Sequence, residues 1–544
     1  MNTVFVEATT ATLVPAPPKF ATKRTKATLG SFSSSLEEQI AQALARSRDL
    51  TAVERFSQWH REEIAHAHGA FYKDMLPASP PAPGQQYAFE VDLDKCSSCK
   101  ACVVACHSLN GLDEGESWRS VGSLVGPQER ITVTSSCHHC VDPGCASGCP
   151  TLAYQKDELT GIVKHLDDQC MGCQYCTWTC PYDAPKWNDR LGIVRKCDMC
   201  QSRLKVGEAP ACVQACPSQA IRVVVVETAK LEADPNLGTV LPGIVAPQRT
   251  RPTTTYKGVL PQGLEDAGLA VLRSEPPHTP LAILLVLTQW AAGLWVMQTV
   301  SVAFGHPVAS MAFPVATLFL LAGLGIGALH LGRPMHAWKA VLGWRRSWFS
   351  REVLAMGNAV PFALTVSLPA TWLPSAIRYG AMGMGALFLL AGVGCSAMLY
   401  IATPRPVWAR GATAWRFAWT ALGGGAIMTG IVGAVSGAPI PAMVALAGIA
   451  IAAKSVLEWK DAHAPVAAEF AFARQSALLA GPLRTRSNAR WALVGVALSF
   501  LALALATGWI IAWILAMGAK LGADLVEREL FFRACPPTRM PGGC

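Results

Sequence analysis

Charge is scarce in this sequence. Only 15% of its 544 residues are Asp, Glu, Lys or Arg, against 51% hydrophobic, which excludes an average soluble domain. No Asp, Glu, Lys or Arg occurs between Pro276 and Gly332, and uncharged runs recur at Val353 to Ile377, Tyr379 to Pro404, Phe417 to Ala453 and Trp491 to Ala519. About 20 apolar residues cross the hydrocarbon core of a bilayer, so these runs read as membrane spans rather than as buried helices of a soluble protein. Breaks at Gly305-His306-Pro307 and Gly437-Ala438-Pro439 divide two of them. Seven spans result, starting near residues 280, 308, 353, 379, 416, 439 and 491. An eighth, around Val466 to Gly481, is disfavoured by Glu469 and Arg474.

Histidine is scarce too. The membrane half holds His278, His306, His330, His336 and His463, mostly at helix ends, whereas a bis-His haem needs two at depth on facing helices, so no haem is expected. The start, MNTVFVEATTATLVPAPPKF, lacks a basic opening, a twin arginine and a long apolar core, so no export signal is expected. Basic residues concentrate in alternate loops: Arg333, Lys339, Arg345, Arg346 and Arg351 in one, Arg405, Arg410 and Arg416 in another, and Lys460, Arg474, Arg484, Arg486 and Arg490 in a third, while the loops between hold almost nothing beyond Arg378. The positive-inside rule puts these loops, and the N-terminal half with them, in the cytoplasm of a bacterial inner membrane. No nucleic-acid partner is expected.

Cysteine, by contrast, is abundant. Residues 170 to 181 read CMGCQYCTWTCP, and the run recurs as CSSCKACVVAC, CHHCVDPGCASGCP and CDMCQSRLKVGEAPACVQACP. The four runs supply Cys96, Cys99, Cys102 and Cys106; Cys137, Cys140, Cys145 and Cys149; Cys170, Cys173, Cys176 and Cys180; and Cys197, Cys200, Cys212 and Cys216. Zinc takes two cysteines from each of two knuckles, and disulfides belong to small secreted domains. Three closely spaced thiolates plus a fourth before proline instead fit 4Fe-4S clusters. Sixteen cysteines thus predict four clusters. Three runs close with C-P-x-x-A (CPTLA, CPYDA and CPSQA), an internal repeat whose proline fixes φ and whose alanine leaves room for the cube. Cys395, inside an apolar run, reads as a buried thiol; Cys535 and Cys544 have no partner spacing.

The sequence therefore predicts an α+β ferredoxin-like domain of tandem 4Fe-4S dicluster folds, followed by an all-α transmembrane bundle of seven or eight spans. Residues 1–88 form an extension with an amphipathic stretch and capping-box spacing at Thr51 and Glu54, either clasping a partner or partly disordered. Residues 89–227 carry the clusters, 228–279 form a Pro-rich linker laid over them, 280–533 the membrane domain and 534–544 a tail.

This arrangement resembles the dimethyl sulfoxide reductase family of molybdoenzymes. The four-run domain is similar to its four-cluster iron-sulfur subunit, and HLGRPMHAW (330 to 338), WRRSWFSRE (344 to 352) and ERELFF (527 to 532) are similar to its membrane anchor. The family's two subunits are usually separate chains, and its anchors usually have eight spans. The resemblance implies a relay: a separate molybdopterin subunit performs the substrate chemistry, the clusters conduct, and the membrane half exchanges electrons with the quinone pool. Sulfite dehydrogenase-like and S- or N-oxide reductase-like partners both remain open. Other readings are a formate, polysulfide or cytochrome-linked complex, or a redox-coupled ion-translocating protein, which Lys454 in IAIAAKSVLEW keeps open. Snorkelling toward the basic loop is the plainer reading of Lys454.

If the ferredoxin pairing carries over, Cys96, Cys99 and Cys102 share a cluster with Cys216, and Cys197, Cys200 and Cys212 share one with Cys106. Likewise Cys137, Cys140 and Cys145 take Cys180, and Cys170, Cys173 and Cys176 take Cys149. For quinone, His330 is the expected proton carrier, Arg333 the group holding a quinone oxygen, and Arg351 and Glu352 the residues that orient the histidine or move its proton on.

Overall fold

The computed structural model describes residues 38, 40, 73–127, 129–234, 241, 247–267, 272–305, 311–435, 441–463 and 470–540. The pair Thr51 and Glu54, the turn residues His306 and Pro307, the break at 437–439, Glu469 and Cys544 lie outside the described residues.

The cluster domain is tied end to end. Its first long strand, β1 (Gln85–Asp92), pairs antiparallel with the last strand before the linker, Ile221–Glu227, from Gln85 opposite Glu227 to Val91 opposite Ile221. Gln86 and Ala88 on one face of β1 and Phe89 and Val91 on the other are buried, so successive side chains pack on both sides of the strand. This pairing sets Cys96, just after β1, close to Cys216, just before the returning strand, although 120 positions of sequence separate them. Two short hairpins, Tyr154–Lys156 with Val163–His165 and Lys186–Asn188 with Ile193–Arg195, hold the middle runs. The linker lies along this domain: Thr255–Lys257 adds a parallel strand to β1, and Glu265–Asp266 pairs with Ser120–Val125.

The C-terminal half is helical. Its helices are α1 (Thr279–Ala303), α2 (Ala312–Ala328), α3 (Trp348–Ser367), α4 (Ser375–Ile401), α5 (Gly411–Val435), α6 (Pro441–Ala462), the short α7 (Phe470–Ala480), α8 (Arg484–Thr507) and α9 (Ile510–Arg533). Among the described residues five, α1, α4, α5, α6 and α8, are long and apolar enough to cross a membrane. Helix α2 is apolar but has 17 residues, and α3 and α9 have the length but carry ionisable side chains. Two expectations change here. The run Trp491 to Ala519 is a hairpin of two helices, because Gly508 ends α8 in the left-handed region at φ 70°, a conformation open to glycine. The eighth long helix is therefore α9, and the segment around 466–481 contributes only the 11 residues of α7.

Helices α1 and α5 touch backbone to backbone: a Cβ on Gly293 would overlap the carbonyl oxygen of Ala421. Small residues at such a crossing let helices approach where no hydrophobic force drives them together. Cys395 is half-buried rather than buried, whereas Cys535 is buried with its sulfur 3.8 Å from the Arg405 guanidinium.

Candidate functional site

The cysteine loops are shaped by left-handed residues that only a few sequences tolerate. Ser98, His139, Gln174 and Met199 have φ of 63°, 43°, 59° and 59°, which turns the following amides back toward the sulfurs. Gly172 N–H donates to Cys170 Sγ at 3.4 Å and Met199 N–H to Cys197 Sγ at 3.3 Å. The alanine of C-P-x-x-A does more than leave room. Its N–H donates to the fourth cysteine of the run, Ala153 to Cys149 Sγ and Ala220 to Cys216 Sγ, both at 3.2 Å. Such bonds favour the charged form of a sulfur.

Among the described residues all eighteen cysteines are free. Cys137, Cys140, Cys145 and Cys180 line one small enclosed cavity, and Cys96, Cys99, Cys102 and Cys216 line another. In each, three sulfurs come from one run and the fourth from a different run. Cys149 has Cys170, Cys173 and Cys176 for neighbours, and Cys106 has Cys197, Cys200 and Cys212. Four convergent sulfurs around a void suit a cubane cluster, so the residues present fit the group.

Two buried cations stand among these sulfurs, and among the described residues neither has a carboxylate partner in hydrogen-bond reach. Lys196, 3% exposed, bonds the carbonyl of Val163 and, at 2.9 Å, that of Cys197, with its Nζ 3.5 Å from Cys137 Sγ. Arg119, 2% exposed, reaches Thr134 and Ser136 and lies 4.8 Å over the Phe89 ring. A lone buried cation is costly, and thiolate-held negative charge beside it supplies the compensation. Nothing in the cysteine spacing pointed to either residue.

The two halves meet at one of these groups. Gly332 N–H donates to the Gly172 carbonyl at 3.3 Å and Arg333 N–H to that of Met171 at 3.0 Å. Gly343 N–H donates to the Pro150 carbonyl at 2.8 Å, the Ser347 hydroxyl to that of Gly148 at 2.6 Å, and the Tyr175 hydroxyl to that of Leu399 at 2.7 Å. HLGRP and WRRSW are thus the segments that seat the bundle against the sulfurs of Cys149, Cys170, Cys173 and Cys176.

Beneath that junction lies a largely apolar cavity of about 210 Å³. Cys173, Tyr175 and Trp178 of the cluster domain form part of its wall, and His330, Glu352 and Tyr400 of the bundle form another. Burial pushes the His330 imidazole down to about 4, partly opposed by a backbone hydrogen bond at Cys173. Its Nε2 is buried without a hydrogen-bond partner. His278 stands edge-on to His330 at 5.2 Å and to Trp178 at 5.1 Å, and Trp178 stacks on Phe532 at 5.6 Å.

Of the four residues expected to handle quinone, the structure brings two together and sets two apart. His330 and Glu352 line the cavity. Arg333 instead clamps the junction through the carbonyls of Asp167, at 2.9 Å, and Leu191, at 3.2 Å. Arg351 lies 4.3 Å over Trp348 and bonds the carbonyls of Trp344 and Arg345, both at 3.0 Å. Both guanidiniums cap backbone oxygens, a need that sequence spacing does not reveal. The lining residues that sequence reasoning missed, Tyr175 and Trp178, sit between cysteines in CQYCTWTC. Large aromatic residues inside a cluster loop were the available signal.

Comparison with known proteins agrees with this division. Residues 129–226 match the family model of a 4Fe-4S dicluster domain, and residues 274–533 match that of the DMSO reductase anchor subunit (DmsC). The cluster half is 37% identical over 150 residues to the B subunit of the anaerobic dimethyl sulfoxide reductase of Haemophilus influenzae, covering 25% of this protein and 73% of that one. It is 38% identical over 144 residues to the thiosulfate reductase electron transfer subunit PhsB of Salmonella typhi, covering 25% and 74%. It is also 35% identical over 172 residues to the hydrogenase-2 operon protein HybA of Escherichia coli O157:H7, covering 26% and 52%. Fold and site together define a multi-pass membrane protein that carries an iron-sulfur electron-transfer domain. The chain belongs to the dimethyl sulfoxide reductase family, its iron-sulfur subunit continued in the same polypeptide by the family's membrane anchor.

Proposed function

We propose that this chain carries electrons between a separate molybdopterin-bearing catalytic subunit and quinone in the bilayer, through four cross-ligated 4Fe-4S clusters. The observation that carries the reading is that Cys173 and His330 line one cavity. Clusters pass single electrons over a wide range of potentials. The chain's part is to hold them in line and to end the line at a quinone-sized void. The apolar wall of that void, with Leu284, Leu285 and Met356, suits an isoprenoid-bearing ring, since ligand sites of this kind are mostly apolar with a few placed polar groups. His330 offers its unpartnered Nε2 to a quinone oxygen, and Glu352 holds or releases a proton beside it. Arg333 and Arg351 keep the cavity roof in place. The cluster domain faces the cytoplasm in this reading, by the basic loops. The names of the relatives favour an S-oxide or sulfur-oxyanion substrate for the partner.

The test is His330→Ala. The variant keeps iron and turnover with an artificial soluble electron carrier but loses turnover with quinone. Unchanged quinone turnover removes His330 from the reading.

A further inference from the structure

Glu352 is not the only ionisable group that this bundle places at depth. Eight ionisable side chains are buried between α5, α6, α8 and α9. Charge inside a membrane is expensive and lies where ions or protons pass, whereas an apolar set would hold helices together as well or better. Lys454 in particular does not snorkel. It is 2% exposed, donates to Asp524 Oδ1 at 2.7 Å and forms an ion pair, without a hydrogen bond, with Glu527 Oε2 at 3.0 Å.

Six of these groups, together with Asp461, form one continuous chain. At the rim, Asp461 pairs with Arg416 at 3.3 Å, and Arg416 donates to Glu527 Oε1 at 2.7 Å. Glu527 meets Lys454, Lys454 meets Asp524, and Asp524 Oδ2 accepts from Lys520 at 2.5 Å and from Trp290 Nε1 at 2.9 Å. A branch through Arg528 reaches Gln289 Oε1 at 3.1 Å. Gln289 and Trp290 belong to α1, and the preceding residue, Thr288, lines the cavity that holds His330. The chain therefore ends on the back of the cavity wall.

Its other end reaches the rim of the bundle, where the Asp461 side chain is 16% exposed. A cavity of about 30 Å³ lies among Arg416, Glu458, Asp461, Gln475 and Arg490. Glu458 Oε1, Gln475 Oε1 and Arg490 Nη1 are buried there without partners, although Glu458 and Arg490 also pair with each other. A polar cavity above about 10–15 Å³ with unmet donors and acceptors takes up water. Helix α9 ends at this mouth, where the Arg533 carbonyl accepts from Glu275 N–H at 3.2 Å, on the side of the linker and cluster domain.

We infer that this buried ionic chain is a proton path between water on the cluster-domain face and the α1 wall of the quinone cavity. It rests on the quinone reading of that cavity. Reduction of one quinone to quinol takes two electrons, delivered one at a time from two reduced clusters, and two protons; oxidation returns both. His330 and Glu352 serve one proton, and the ionic chain, arriving through α1, serves the other.

The experiment uses the full chain with its clusters loaded and reduced by dithionite, freed of excess reductant and mixed rapidly with a soluble short-chain quinone. Cluster reoxidation is followed by absorbance and proton uptake by a pH dye in weak buffer. Glu458→Gln at the mouth and Lys454→Met in the middle keep cluster content and quinone binding, yet slow reoxidation and proton uptake together by at least about tenfold. A small membrane-permeant weak acid such as azide restores the rate in Glu458→Gln, which a packing defect would not allow. Wild-type rates in both variants overturn the inference, as does slow reoxidation accompanied by lost clusters or lost quinone binding. Native chain that neither binds nor reduces the quinone shows instead that the quinone reading has failed, and the proton path falls with it.

Discussion

Gly332 of the bundle and Gly192 of the cluster domain meet backbone to backbone: a Cβ built on Gly332 would overlap the Gly192 carbonyl oxygen and press on the Trp187 ring. Gly192 itself sits at φ 63°, and Gly172, next to the same contact, at φ 74°. Glycine backbones of the two halves thus touch directly beside the residues, Cys173 and His330, that line one cavity.

A bulky residue at 332 should therefore wedge the halves apart. Gly332→Val costs about 1–3 kcal/mol by overpacking, read as a lower melting temperature in detergent. Cluster content stays near the native value, because no sulfur is touched, and quinone-linked turnover falls more than dye-linked turnover. Equal loss of both activities would mean that the junction only stabilises the chain.

Cross-ligation makes a sharper claim. Cys216→Ser should disturb the cluster of Cys96, Cys99 and Cys102, whose cavity Cys216 lines, and leave that of Cys197, Cys200 and Cys212 intact. Cys106→Ser should do the reverse. Native chain should bind about sixteen iron atoms, four per cluster, and each variant should change one paramagnetic signal, not the same one. If Cys216→Ser and Cys200→Ser changed the same signal, each run would be serving its own cluster.

Much of this was legible in the residues alone. Cysteine spacing is set by cluster geometry, so the four runs could be read directly, and uncharged runs of 25 residues or more marked the bundle. Helix α9 was harder, because Lys520, Asp524, Glu527 and Arg528 lie beyond the uncharged run that ends at Ala519. In the bundle they neutralise one another and Arg416 and Lys454 from neighbouring helices, pairings invisible in a linear scan. For Arg333 and Arg351 the motif could be read but not the partners, which are carbonyls presented by the fold.

Orientation in the membrane is a separate question. The loop residues Gly305 and Arg410 lie at opposite ends of the bundle's helices, at the end of α1 and the start of α5. A periplasm-active reporter fused at Gly305 should be active and one at Arg410 silent, by the basic-loop argument. The reverse pattern would put the cluster domain in the periplasm and favour a terminal reductase partner.

Lys196 offers a test of how the protein sets the energy of its electron path. Its ammonium is buried between the sulfurs of two groups, within 3.5 Å of Cys137 Sγ and bonded to the Cys197 carbonyl at 2.9 Å, and the nearest acids among the described residues are far enough away to make no ion pair with it. A reduced cluster carries one more negative charge than an oxidised one, so a fixed cation beside it favours reduction. Lys196→Met keeps the length and removes the charge. The potentials of the clusters served by Cys137 and by Cys197 should fall by at least about 60 mV, tenfold in a one-electron equilibrium, in a redox titration read by electron paramagnetic resonance. The clusters served by Cys99 and Cys173 should move less. Lys196→Arg should hold the potentials near the native values, since the charge remains. A fall of equal size in both variants would trace the effect to disturbed packing rather than to the ammonium, and no fall in Lys196→Met would mean that the charge is screened.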